Sequence, residues 1–182
     1  MAPTTASATL NLGFLTILHE TSGYLGGYLV TNLWGRPLEF RLSTAVQPNR
    51  VQQILYAGTL QPYIFADLIG KTLVDKTSTA AQLVLTDREP ALDLRLRIDV
   101  PVVWLAAAGD PLAGTLAQNG ACVRPAKDNQ GPILCHPRFS ADVGVVGEML
   151  NRIDGGFDLT EPFARIREAI GEARKMGVTN RS

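Results

Sequence analysis

Between Leu10 and Gly35 the chain carries a single Asp, Glu, Lys or Arg, at Glu20. Surface that faces water is normally dense in charge, so a run this long with almost none has to be covered by something. In residues 10–19, Leu12, Phe14 and Leu18 alternate with Leu15 and Ile17. A strand with that pattern is apolar on both faces and must be packed on both. Residues 20–23 (ETSG) have turn chemistry. Residues 24–33 read as a second strand interrupted by Gly26 and Gly27, a pattern that predicts a bulge or the close approach of another backbone or ligand. Trp34, Gly35, Arg36 and Pro37 reverse the chain again. Residues 38–43 then alternate Leu38, Phe40 and Leu42 (inward) with Glu39 and Arg41 (outward). Three strands joined by short turns form an antiparallel meander.

Asn49 is placed to cap a helix in which Val51, Ile54 and Leu55 recur at helical spacing. Gly58 and Pro62 predict a break near residues 59–61. A second helix follows, with Ile64, Phe65, Leu68, Ile69, Thr72 and Leu73 forming a stripe that covers the meander. Downstream, residues 82–86 read as a short strand. Leu92, Leu94, Leu96 and Ile98 alternate with Asp93, Arg95, Arg97 and Asp99, the strand period again, and residues 102–107 form a further apolar strand. Residues 108–120 read as loop. Residues 121–125 and 133–137 flank AKDNQGP symmetrically, and a hairpin there sets Cys122 opposite Cys135. Ser140 caps a helix bearing Val143, Val146, Leu150 and Ile153. A last helix, from about residue 161 to 176, carries Phe163, Ile166 and Ile170 and stops at Gly177. The expected fold is therefore α+β: two antiparallel β-meanders with helices packed on the sheet, and two C-terminal helices. Residues 10–177 form a single domain, residues 1–9 a loose tail and residues 178–182 a frayed end.

The 17 basic and 17 acidic side chains cancel, which leaves no electrostatic footprint for nucleic acid or an anionic membrane, and neither is expected as a partner. No apolar run reaches the roughly 18 residues of a membrane helix. Two cysteines and no basic leader before the first apolar run point to a reducing cytoplasm. No motif calls for a cofactor.

Cys135 beside His136 is the most reactive-looking pair, but neighbours in a strand point to opposite faces, so His19 would have to serve as the base if His136 does not. Cys122, Cys135 and His136 are ligand types that zinc accepts, without the paired spacing of a zinc motif. Cys122 and Cys135 could also form a disulfide across the hairpin, which a reducing compartment disfavours. The low-charge half also holds Leu15, Ile17, Tyr24, Tyr28 and Trp34, and aromatics with few charges characterise interface cores. These residues point to a non-enzymatic protein-binding or scaffolding subunit of a homo-oligomer or larger complex. The alternative is a small hydrolase or thiol enzyme using Cys135 with His19 or His136. A ligand pocket near Gly26 and Gly27 is the third reading.

Overall fold

The computed structural model describes residues 9–153 and 155–179. Met1–Ala8, most of the expected tail, and Asn180–Ser182, most of the expected frayed end, lie outside the described residues. Among the described residues, seven strands form one mixed sheet in the order β3-β2-β1-β4-β5-β7-β6. β1 (Leu12–Glu20), β2 (Gly23–Thr31) and β3 (Pro37–Leu42) make the antiparallel meander that the alternation predicts.

The second antiparallel meander is not there. β4 (Leu83–Thr86) runs parallel to β1, and β5 (Val102–Leu105) runs parallel to β4. Only β6 (Cys122–Arg124) and β7 (Ile133–Cys135) return to antiparallel pairing beyond them. Parallel neighbours need a crossover between them, and the stretch expected to be a strand at residues 92–98 supplies it. Glu89–Leu96 winds into a 3-10 helix that opens with Pro90 in its first turn and buries Ala91, Leu92 and Leu94. A strict alternation of apolar and charged residues has therefore been read by a tighter helix, because the sheet left no strand position for it.

Helices cover both faces of the sheet. On one side lie α2 (Leu60–Pro62), a π-helical stretch Tyr63–Gly70 and α3 (Lys71–Lys76), which run on as a single rod, together with the 3-10 segment and α4 (Pro111–Gln118). α5 (Asp142–Asn151) and α6 (Glu161–Thr179) cover the other side. α4 occupies the expected loop. Its start is written as Asp110-Pro111, where the Asp110 carboxylate accepts from the Leu112 and Ala113 N–H groups and proline sits in the first turn. α6 continues through Gly177, the residue expected to end it.

Leu15, Ile17, Tyr28 and Val30 point into the first layer, while Leu12, Phe14 and Leu29 point into the second. The two-faced apolar strands are thus sealed by this chain's own helices. Gly26 and Gly27 make the double seal possible. A Cβ on Gly26 would lie 2.2 Å from Ile69 Cγ2 on one face, and one on Gly27 would lie 2.4 Å from Ile166 Cγ2 on the other. Adjacent glycines so let helices approach the same strand from opposite sides, and the close approach is by side chains rather than by a ligand. The bulge expected at these glycines falls instead between Val30 and Thr31, in the ladder to β3.

Among the described residues, no helix is long and apolar enough to cross a membrane.

Candidate functional site

Among the described residues, large apolar side chains exposed to water cluster at two places, with Leu96, Leu112, Val145 and Met176 exposed singly elsewhere. The first is α1 (Arg50–Tyr56), which has no buried residue. Its start is well specified: the Asn49 carboxamide accepts from the Gln52 N–H at 2.8 Å, and the Gln52 side chain accepts from the Asn49 N–H at 3.0 Å, a reciprocal capping box. Val51, Ile54 and Leu55 then fall on one stripe, at 62%, 61% and 76% exposure. The helix ends at Ala57, whose φ of 45° is unusual for a residue with a side chain. Tyr56 stacks on Tyr63 with ring centroids 4.3 Å apart, fastening the end of α1 to the rod.

The second place is the open edge formed by β3. Leu38, Phe40 and Leu42 are expected from their alternation to face inward, yet they stand 44%, 37% and 41% exposed. Phe40 pairs with Leu29 and Leu42 with Gly27, so these two lie on the α6 side of the sheet, while Leu38 sits at the bulge without a partner on β2; α6 packs over β1 and β2 and leaves the outer strand uncovered. On the other face, Glu39 accepts from the Ser78 N–H, the Thr79 N–H and the Thr79 hydroxyl at 3.0–3.1 Å, with Arg41 Nε at 3.0 Å. These donors, the Ser78 and Thr79 backbone foremost, hold its carboxyl at about 2. Trp34, 75% exposed, is displayed from the turn before β3. That turn is braced by the Asn32 carboxamide, which accepts from the Trp34 and Arg36 N–H groups, and by Arg165, which donates to the Gly35 carbonyl.

Of the five residues expected at an interface, Trp34 alone is on the surface. Leu15, Ile17, Tyr24 and Tyr28 are buried between the sheet and the π-helical rod, and burial drives the Tyr28 phenol pKa far upward. The large apolar side chains that cluster in water are instead Val51, Ile54 and Leu55 on α1 and Leu38, Phe40 and Leu42 on β3. α1's helical spacing could be read from sequence, but its exposure could not, since an apolar stripe looks the same whether or not something covers it.

The thiol candidates are kept apart. β6 and β7 do form the expected hairpin, but Cys122 pairs with Leu134, one residue out of the expected register. A slip of one residue sends a side chain to the opposite face, so Cys122 packs with the first layer and Cys135 with the second. Both are free thiols. Burial, with the Asp142 carboxylate adding to it, pushes the Cys135 thiol up to about 12. His136 turns the other way. Its Nε2 lies 3.0 Å from Asp93 Oδ1, and its Nδ1 accepts from the Arg138 N–H, which puts the ring proton on Nε2. Both ring nitrogens are occupied, and the residue ties the end of β7 to the 3-10 segment. His19 stacks on Tyr24 with centroids 4.2 Å apart, on β1, three strands away from β7. Cys122, Cys135 and His136 do not converge, and among the described residues no group of three or more His, Cys, Asp or Glu is placed to hold a metal ion.

No family model matches the chain, and a search of curated proteins gives no match. Among solved structures, the chain is similar to endonuclease V of Ciona intestinalis in complex with a 24mer DNA containing an inosine followed by a ribo-adenosine, at TM-score 0.41 and 11% identity over 76% of this chain and 77% of that one. It is also similar to Argonaute of Marinitoga piezophila in complex with 5' OH guide RNA, at TM-score 0.30 and 7% identity over 56% of this chain and 16% of that one. The expectation that excluded nucleic acid as a partner is withdrawn, the first of these being a protein solved with DNA. At TM-scores this low, neither likeness says what this chain binds or does.

Proposed function

We propose that the chain is a non-enzymatic protein-binding or scaffolding subunit of a cytoplasmic complex, and that it engages its partner through α1. The observation that carries this reading is the Val51, Ile54 and Leu55 stripe, fully folded into helix and facing solvent. A helix of 7 residues is too short to hold itself in water, where isolated helices below about 12–15 residues are marginal. Its capping box contributes about 1 kcal/mol. Covering the stripe would add on the order of 1–2 kcal/mol for each side chain, and apolar anchors at i, i+3 and i+4 are the usual means by which a helix enters a groove. The two reduced thiols suit a reducing compartment.

The test is to recover partners from native extract with the full chain and with Ile54→Asp/Leu55→Asp. Capture of a defined protein by the first and its loss in the second, with the fold retained by circular dichroism, is the expected result. A chain that recovers no protein, or that recovers nucleic acid instead, would sink the reading.

The thiol-enzyme alternative has weaker support. A thiol titrating at about 12 is almost wholly protonated at neutral pH, and its neighbouring imidazole is engaged elsewhere. Cys135 is expected to resist iodoacetamide at pH 8 until the protein is unfolded. Rapid labelling of Cys135 in the folded chain would revive the alternative.

A further inference from the structure

We infer that β3 pairs with β3 of a second copy of this chain, antiparallel and across a two-fold axis through Phe40. This deepens the protein-binding reading by naming one partner, and it rests on that reading. β3 is the last strand of the sheet on its side, so one of its edges has no ladder among the described residues. The Ser43 N–H donates to the Gly26 carbonyl at 2.9 Å, in register with the Gly27–Leu42 and Tyr28–Arg41 pairs. Antiparallel ladders alternate, so Arg41 and Glu39 also turn their backbone groups toward β2, while Phe40 and Leu42 turn theirs to the open edge. Those outward groups can be satisfied by another strand.

The side chains of β3 indicate which strand fits. In the sequence Leu38-Glu39-Phe40-Arg41-Leu42, a two-fold axis at Phe40 sets Phe40 against Phe40 and Glu39 against Arg41 twice over, with Leu42 beyond them toward Leu38, which sits at the bulge. The segment is therefore complementary to its own reverse: apolar residues meet apolar residues on the α6 face, and opposite charges meet on the other face, where directly opposed pairs interact. Shifting the register by two places Glu39 opposite Glu39 or Arg41 opposite Arg41, which like-charge repulsion penalises. Glu39 is already fixed by its bonds to Ser78 and Thr79, so one partner of each cross-strand pair is positioned before association. The bulge facing Val30 and Thr31 limits the new ladder to the centre of the strand. Because each copy uses its one free edge on this side, the pairing closes at two.

The register can be read by cross-linking. Under a mild oxidant, Phe40→Cys sets two thiols across the axis at a Cα separation of about 5.5 Å, within disulfide reach. Arg41→Cys adds an equally exposed thiol off the axis. Phe40→Cys is expected to give a covalent dimer about tenfold faster than Arg41→Cys, as its effective concentration is set by the pairing. By light scattering, the unsubstituted chain is expected to be dimeric and Arg41→Glu monomeric, with both retaining their far-ultraviolet spectrum. Equal cross-linking of the two cysteine variants, or a monomeric parent chain, overturns the inference. If the parent chain is monomeric yet captures another protein through α1, the β3 pairing falls and the protein-binding reading stands. If it neither dimerises nor captures a protein, both fall.

Discussion

Leu29 and Phe40 face each other across the β2–β3 ladder, yet Leu29 is 5% exposed and Phe40 37%. They share a sheet face, a meander and an alternating pattern. The difference lies in what is laid over them. α6 crosses β1 and β2, bringing Ile166 and Ile170 to Gly27, and the next strand out lies beyond its reach. The same holds for helices: Phe65, on the rod, is fully buried, whereas Leu55, on the helix before it, is 76% exposed. Apolar character marks a residue as needing cover, and a helix of this chain supplies it at β2 and the rod but not at β3 and α1.

Substitutions on the two sides of this divide should separate cleanly in chemical denaturation. Phe65→Ala empties a site closed on all sides and should cost about 3–5 kcal/mol. Phe40→Ala, measured below the concentration at which copies associate, should cost under about 1 kcal/mol, and comparable losses at the two positions would abolish the distinction. Gly27→Ala comes next, because the added methyl meets Ile166 Cγ2. Overpacking of this kind costs about 1–3 kcal/mol, and a neutral result would mean that α6 is free to shift.

A smaller effect tests the tie that steadies the open edge. The folded-state pKa of Glu39, about 2, lies below its unfolded value of roughly 4.3. The carboxylate's contribution is therefore complete above the unfolded value and is lost as pH falls through the folded one. The Ser78 and Thr79 amide resonances should titrate with a midpoint near 2. A midpoint in the ordinary carboxylate range would show that the tie is absent in solution. Smallest of all, Leu55→Ser should change the stability of the isolated chain by no more than about 0.5 kcal/mol. A larger loss would place α1 inside the chain's own core and remove the contrast with the rod.

Much of the first meander was legible, since two-residue alternation and turn residues are local signals. The rod's buried side chains Ile64, Phe65, Ile69 and Leu73 match the expected stripe, because helical periodicity is local too. The crossover at Glu89–Leu96 was not legible. Its alternation is genuine, and only the presence of β5 as a parallel neighbour of β4 obliges the intervening residues to climb over the sheet. Cys122 and Cys135 fall on opposite faces through a one-residue difference in hairpin register, a quantity that symmetry about a turn does not determine. The exposed stripe of α1 left only its helical spacing in the sequence.

The residues alone determined that the strands between Leu10 and Leu33 would be sealed on both faces, because so long a run with a single charged residue has no stable way to meet water. They also determined the capped start of α1 and the period of each amphipathic segment. The tertiary structure decided which of the apolar surfaces are sealed by this chain and which stay open. That outcome depends on the order of strands and the reach of α6 and the rod, which arise from contacts between residues far apart in the chain, and no local pattern encodes them.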